Sequence, residues 1–255
     1  MNIDWHYIKE LLDYKVDFYN RPEFIESDPV SIPHLFSLKE DIEIAGFLTA
    51  TFAWGQRRTI ISKSRELMKA MDFSPYDFVL NATEKDLDSL RSFRHRTFNN
   101  EDAGFFISSL QNIYRNHEGL EAAFGNINGG PIKERIGNFR RLFFSIPHPV
   151  HCSKHVSDPT AGSPAKRLNM FLRWMVRNDD RGVDFGIWKT ISSSDLMCPL
   201  DIHSGNTARK LYLIRRKQND WKALEELMAN LQRFDPSDPV KYDYALFGLG
   251  VFEKF

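Results

Sequence analysis

The chain has 255 residues, 42% of them hydrophobic and 27% charged, with a formal net charge of zero. That length buries a sizeable core in one large domain or two lobes, and the composition excludes a disordered or fibrous chain. Two cysteines, Cys152 and Cys198, are too few for a disulfide framework or for a cluster held by four thiolates. No run of about 18 apolar residues is present to span a bilayer, and the N-terminus lacks a basic stretch followed by an apolar one. The reading is therefore a cytoplasmic protein with no membrane partner.

Helical periodicity runs through almost the whole sequence. Asp4 is placed to cap a first helix that reaches about Tyr19 and stops before Pro22. Residues 22–39 contain Pro22, Pro29 and Pro33 and read as a loop. Asp41 to Trp54, DIEIAGFLTATFAW, is apolar nearly all round after an acidic first turn, the pattern of a central buried helix. Gly55 bends the chain, and a helix then runs to about Met71. Ser74-Pro75 opens a short element, while Phe78-Val79-Leu80 is too short to read as a strand. Ala103, Phe106, Ile107, Leu110, Ile113 and Tyr114 recur at helical spacing. GNINGGP, from Gly125 to Pro131, predicts a flexible turn, and a basic amphipathic helix follows from Ile132 to about Phe144. The longest break runs from Ile146 to Pro164 and holds four prolines and three histidines. Helices are expected over 165–177 and 202–214, along the stripe Trp221, Leu224, Leu227, Met228 and Leu231, and in a last segment with Tyr242, Ala245, Leu246 and Leu249. With no repeats and few strand signals, the predicted fold class is all-α, residues 1–255 forming one helical domain that could divide into two lobes.

The charge is unevenly spread. Residues 1–50 carry ten acidic and four basic residues, whereas residues 130–177 carry nine basic and two acidic ones. Such a segment is either a solvated helix surface or a local face for phosphate. Within it, Ala161-Gly162-Ser163-Pro164-Ala165-Lys166-Arg167 reads as a glycine-containing turn running straight into a helix. Backbone amides at that helix start can meet a phosphate. The positive end of the helix dipole disfavours a protonated lysine there, and a free amine is a nucleophile. Further on, Pro199-Leu200-Asp201-Ile202-His203 places Asp201 to cap another helix. A carboxylate in that position is held ionised and can stabilise a developing cation. Taken alone, Asp201 is simply an N-cap.

Together these segments resemble the helix-hairpin-helix (HhH-GPD) DNA glycosylase superfamily. AGSPAK is similar to its hairpin pattern Pro-Gly-x-Gly-x-Lys, with Gly162 on the first glycine and Lys166 on the catalytic lysine. LDIH is similar to Val-Asp-Thr-His, which puts Asp201 on the catalytic aspartate. DIEIAGFLTATFAWGQRRTI resembles the early buried helix and its glutamine-containing loop, with Gln56 as that glutamine, and KYDYALFGLG resembles the closing helix. The resemblance covers most of residues 38–250 in the right order. It is closest to a conserved bacterial family distantly related to these enzymes, and the long Lys-to-Asp separation resembles the archaeal 8-oxoguanine glycosylase branch more than the endonuclease III branch.

The resemblance implies a two-lobed helical glycosylase-like fold with a hairpin element over about 132–177, and a DNA-repair glycosylase/AP lyase. Its substrate would be a damaged base, an oxidised purine being one candidate, flipped from duplex DNA into a pocket. Lys166 would attack the sugar and Asp201 would stabilise its cationic character. DNA contacts are assigned to Gly162, Ser163, Arg167, Lys154, Arg173, Gln56 and Arg57, and the base pocket to Trp54 and His203, with Phe52 an alternative stacking ring. No cofactor is implied, because the four cysteines of the iron–sulfur subgroup are absent, and the expected state is a monomer. One departure stands out. Pro164 replaces the second hairpin glycine and has no N–H, so a phosphate contact there would pass to Lys154, Arg167 or Ser163.

His148, His151, Cys152 and His155 are donor types that zinc accepts. The neighbouring prolines disrupt regular ligand spacing and no second ligand pair stands in sequence, so the loop reads as contacting solvent or phosphate, with no metal. Two other functional readings compete: a non-catalytic DNA-binding protein on the same scaffold, and an unrelated helical interaction module, against which the basic segment counts.

Overall fold

Asp4 accepts a hydrogen bond from the Tyr7 amide at 3.0 Å and starts α1 (Trp5–Tyr19) where the sequence predicts it. The structure, a computed structural model, describes residues 3–125 and 130–255. The centre of the GNINGGP turn, residues 126–129, lies outside the described residues. Residues 22–39 are not a plain loop. They form α2 (Pro22–Glu26) and two 3-10 turns, Pro29–Ser31 and Pro33–Leu35. Each opens on a proline, whose fixed φ and missing N–H suit the first position of a helical turn.

There follow α3 (Lys39–Phe52), α4 (Arg57–Ala70), α5 (Pro75–Asn81), α6 (Glu84–Leu87), α7 (Asn100–Asn116), α8 (Gly119–Gly125) and α9 (Ile132–Phe143). Phe78 to Leu80 thus lie in a helix. A 3-10 turn, Val150–His155, occupies the proline-rich break. The last helices are α10 (Lys166–Val176), α11 (Ile202–Lys210), α12 (Trp221–Phe234) and α13 (Tyr242–Val251). Helix α11 stops short of the expected Ile214. Tyr212 takes a left-handed φ of 59° and the Leu213 amide reaches back to the Ala208 carbonyl at 2.8 Å, a helix-ending geometry. Among the described residues there is no strand, only an isolated bridge between His95 and Phe98, and the class is all-α.

The chain divides into two compact units, Ile25–Ser157 and the pair of segments Met1–Phe24 and Asp158–Phe255. The first is built around α3, buried at every residue from Ile42 to Phe52. There Phe47 packs on Phe106, Phe139 and Phe143, with ring centroids 5.9, 5.5 and 5.4 Å away. In the second, α13 packs against α1 and α11. The two helices bounding the predicted hairpin segment, α9 and α10, fall in different units, with Phe144 to Ala165 between them.

Candidate active site

Lys166 is the first residue of α10, as the turn motif predicts. The turn before it is held by three backbone bonds. The Gly162 amide donates to the Pro159 carbonyl at 3.0 Å, the Ser163 amide to Asp158 at 3.2 Å, and the Gly162 carbonyl accepts from Trp221 at the start of α12 at 3.0 Å. Gly162 has φ +94°, a conformation that favours glycine. Pro164 brings no amide hydrogen, and the amide of Ala165, itself left-handed at φ 45°, donates to Ser163 Oγ at 3.2 Å. Neither residue therefore offers a phosphate an N–H. The first-turn amides of α10 have no carbonyl partner within the helix. Buried Asn169 donates from its side chain to the Pro164 carbonyl at 2.9 Å and locks the turn to the helix.

Asp201 caps α11. Its Oδ1 accepts from the amides of His203 and Ser204 at 2.8 and 3.0 Å, and Ser204 Oγ accepts from the Asp201 amide at 2.9 Å, completing a capping box. Asn219 donates to its carbonyl at 2.8 Å. The simple N-cap reading is thus correct for Oδ1, while Oδ2 has no hydrogen-bond partner among the described residues. Lys166 Nζ lies 3.7 Å from Met170 Sδ, and no direct salt bridge joins it to Asp201.

Both side chains also influence the charge of a third group. The carboxyl of Asp243, on α13, is buried, and burial pushes it up to about 6 against the pull of Arg173, with Asp201 raising it further and Lys166 lowering it. Around it lies a buried ionic cluster. Arg173 bonds Asp243, and its Nε is 3.3 Å from Asp184. Arg177 reaches Asp184 at 3.1 Å and Asp238 at 2.9 Å, and the Arg173 guanidinium lies over the Tyr244 ring, 4.3 Å from its centroid.

This corrects the assignment of Arg173 to DNA. Arg173 is 4% exposed, and its guanidinium is committed to two carboxylates inside the protein. Arg177 is likewise buried, so the basic segment presents fewer cations to solvent than its sequence suggests. Arg167 is half-buried, and burial lowers it to about 10, which leaves it a cation at neutral pH. His203 is exposed beside Asp201, and Ser163 is half-buried in the turn. The remaining predicted contacts belong to the other unit. There Gln56 and Lys154 are exposed, Arg57 is half-buried at the start of α4, and Trp54 stacks on His155 with ring centroids 6.0 Å apart. Phe52 is fully buried against Phe93 and Phe98 and offers no stacking face.

That same unit brings part of the histidine–cysteine loop together with a carboxylate from another helix. The carboxylate of Asp102, on α7, comes together with His151 Nε2 and Cys152 Sγ so that their donor atoms lie within 4.8 Å of one another. The sequence offered no second ligand pair, and the fold supplies the missing donor from 49 positions upstream of His151 (151 − 102). Its only local signal was the Asn99-to-Asp102 capping box. Burial, and then the Asp102 carboxylate, push the Cys152 thiol up to about 12, so it is no free thiolate nucleophile.

Among the described residues no helix is long and apolar enough to cross a membrane. The molecule is thus an all-α chain with a lysine and an aspartate at two helix starts of one unit. The chain belongs to the family described as "Protein of unknown function (DUF2400)", which matches residues 28–252. No curated protein and no solved structure matches it.

Proposed function

We propose that this chain is a DNA glycosylase with AP-lyase activity, on a two-lobed glycosylase-like scaffold, acting on a damaged base flipped out of duplex DNA. The observation that supports the reading is that one unit sets a lysine at the first residue of α10 and an aspartate at the cap of α11, with only Oδ1 of that aspartate used by the cap. In the proposed reaction the amine of Lys166 attacks the sugar C1′. The bond from C1′ to the base nitrogen breaks, and the base leaves with the electron pair and takes up a proton. Asp201 Oδ2 stabilises the cationic sugar and accepts a proton from the attacking nitrogen. Opening of the sugar ring gives a Schiff base between Nζ and C1′. Loss of a C2′ proton then expels the 3′ phosphate, and water releases the lysine.

The absent donors at Pro164 and Ala165 favour a second reading, a DNA-binding protein without catalysis. Cleavage of duplexes carrying 8-oxoguanine, uracil or an abasic site separates the two. Asp201→Asn keeps a good N-cap but loses the charge. The glycosylase reading requires it to stay folded, keep binding DNA and lose base release by about 100-fold or more. Wild-type protein that binds these duplexes and cleaves none of them supports the second reading.

A further inference from the structure

Asp102, His151 and Cys152 have the chemistry and spacing of a transition-metal site. They come from two segments, the third residue of α7 and the 3-10 turn Val150–His155. Asp102 Oδ1 lies 3.4 Å from His151 Nε2, and all three donor atoms lie within 4.8 Å of one another. A tetrahedral zinc ion with bonds of about 2.0–2.3 Å needs donors about 3.3–3.8 Å apart, so the cluster has to close by no more than about an ångström. Both Asp102 Oδ1 and His151 Nε2 are buried and make no hydrogen bond. Buried polar atoms are rarely left so, and a cation between them would satisfy both.

The surroundings hold the donors in place. Asp102 Oδ2 accepts from the Asn99 amide at 2.9 Å, and Asn99 Oδ1 accepts from the Asp102 amide at 3.0 Å, which fixes the carboxylate. His155 Nε2 stands 3.3 Å from Asp102 Oδ2. Phe98 lies against the His155 ring, 4.9 Å away. Outer hydrogen bonds and an apolar wall of this kind orient metal ligands. Asp102 is fully buried and Cys152 is 0% exposed, whereas the His151 ring is 38% exposed. The exposed part of the ring is not Nε2, which is buried, so the donor atoms themselves face inward.

We propose that Asp102, His151 and Cys152 bind one divalent transition-metal ion of the zinc class. The site lies in the unit that does not hold Lys166 and Asp201, and it does not depend on the glycosylase reading. Binding exchanges the Cys152 thiol proton for a metal–sulfur bond and releases that proton to solvent. The ion between them neutralises the charge of the Asp102 carboxylate.

The test uses the full chain, stripped of metal with a chelator and titrated with Co²⁺. The expected result is saturation at one ion per chain, with a near-ultraviolet thiolate-to-cobalt charge-transfer band that Zn²⁺ abolishes. In Cys152→Ser the band disappears, and in His151→Gln affinity falls by about 10-fold or more. If Cys152→Ser fails to fold, His151→Gln, altered on the solvent side, decides the matter. Absence of the band in the wild-type chain overturns the proposal, leaving an Asp–His ion pair beside a buried thiol. A band unchanged in both folded variants overturns it too.

Discussion

The ring of Tyr19, on α1, fills the space that a side chain on Gly248 of α13 would need. A methyl group at 248 would lie 2.2 Å from Tyr19 Cδ2 and Cε2. The ring cannot easily retreat, because its hydroxyl donates to Glu253 at 2.5 Å and its face stacks on Phe252 at 5.5 Å. Gly248→Ala is expected to destabilise the unit by about 1–3 kcal/mol, read as a lower denaturant midpoint. Tyr19→Ala in the same chain should relieve the clash, so that the double variant is less destabilised than the two single changes add up to.

The buried cluster around Asp243 predicts a pH dependence. Its carboxyl sits at about 6 in the fold against an ordinary 3.8. Between those values the folded chain holds a proton the unfolded chain has released, so this group's contribution is fully present below about pH 4 and is lost as pH rises through about 6. Unfolding free energy measured across that range should carry this downward component, and Asp243→Asn should lack it.

Arg173→Met should leave Asp184 and Asp243 without their shared cation, at a cost of about 3–5 kcal/mol at neutral pH. Part of that loss should be recovered near pH 5, where Asp243 is already protonated. Denaturant unfolding at the two pH values measures it.

Helix ends and burial were legible where a local rule decides them. The Asp4 cap, the all-round apolar run of α3 and the stop before Pro22 all depend on neighbours in sequence. The fate of Arg173 was not legible. Only the return of α13 and the Asp184 segment turns a helix-surface cation into a buried partner of two carboxylates. Asp102 was invisible for a related reason, since its donors lie on a loop far along the chain. For the candidate site, the positions of Lys166 and Asp201 at two helix starts were readable, but their common influence on Asp243 was not, because the third group arrives from the last helix.

Lys154 is exposed on its 3-10 turn, and under the proposed function it contacts a DNA phosphate. Lys154→Ala should weaken binding to all duplexes alike, with lesion preference unchanged. The slope of log affinity against log salt should become shallower by about 0.9. Fluorescence anisotropy over a salt series measures both quantities.

The proposed chemistry passes through a covalent bond between Lys166 and DNA. Borohydride reduction of the wild-type chain with a duplex containing an abasic site, followed by peptide mass mapping, tests it most directly. The expected result is a trapped protein–DNA species whose adduct maps to Lys166 and which Lys166→Ala does not form. No trapped species from the wild-type chain, or equal trapping by Lys166→Ala, would contradict it.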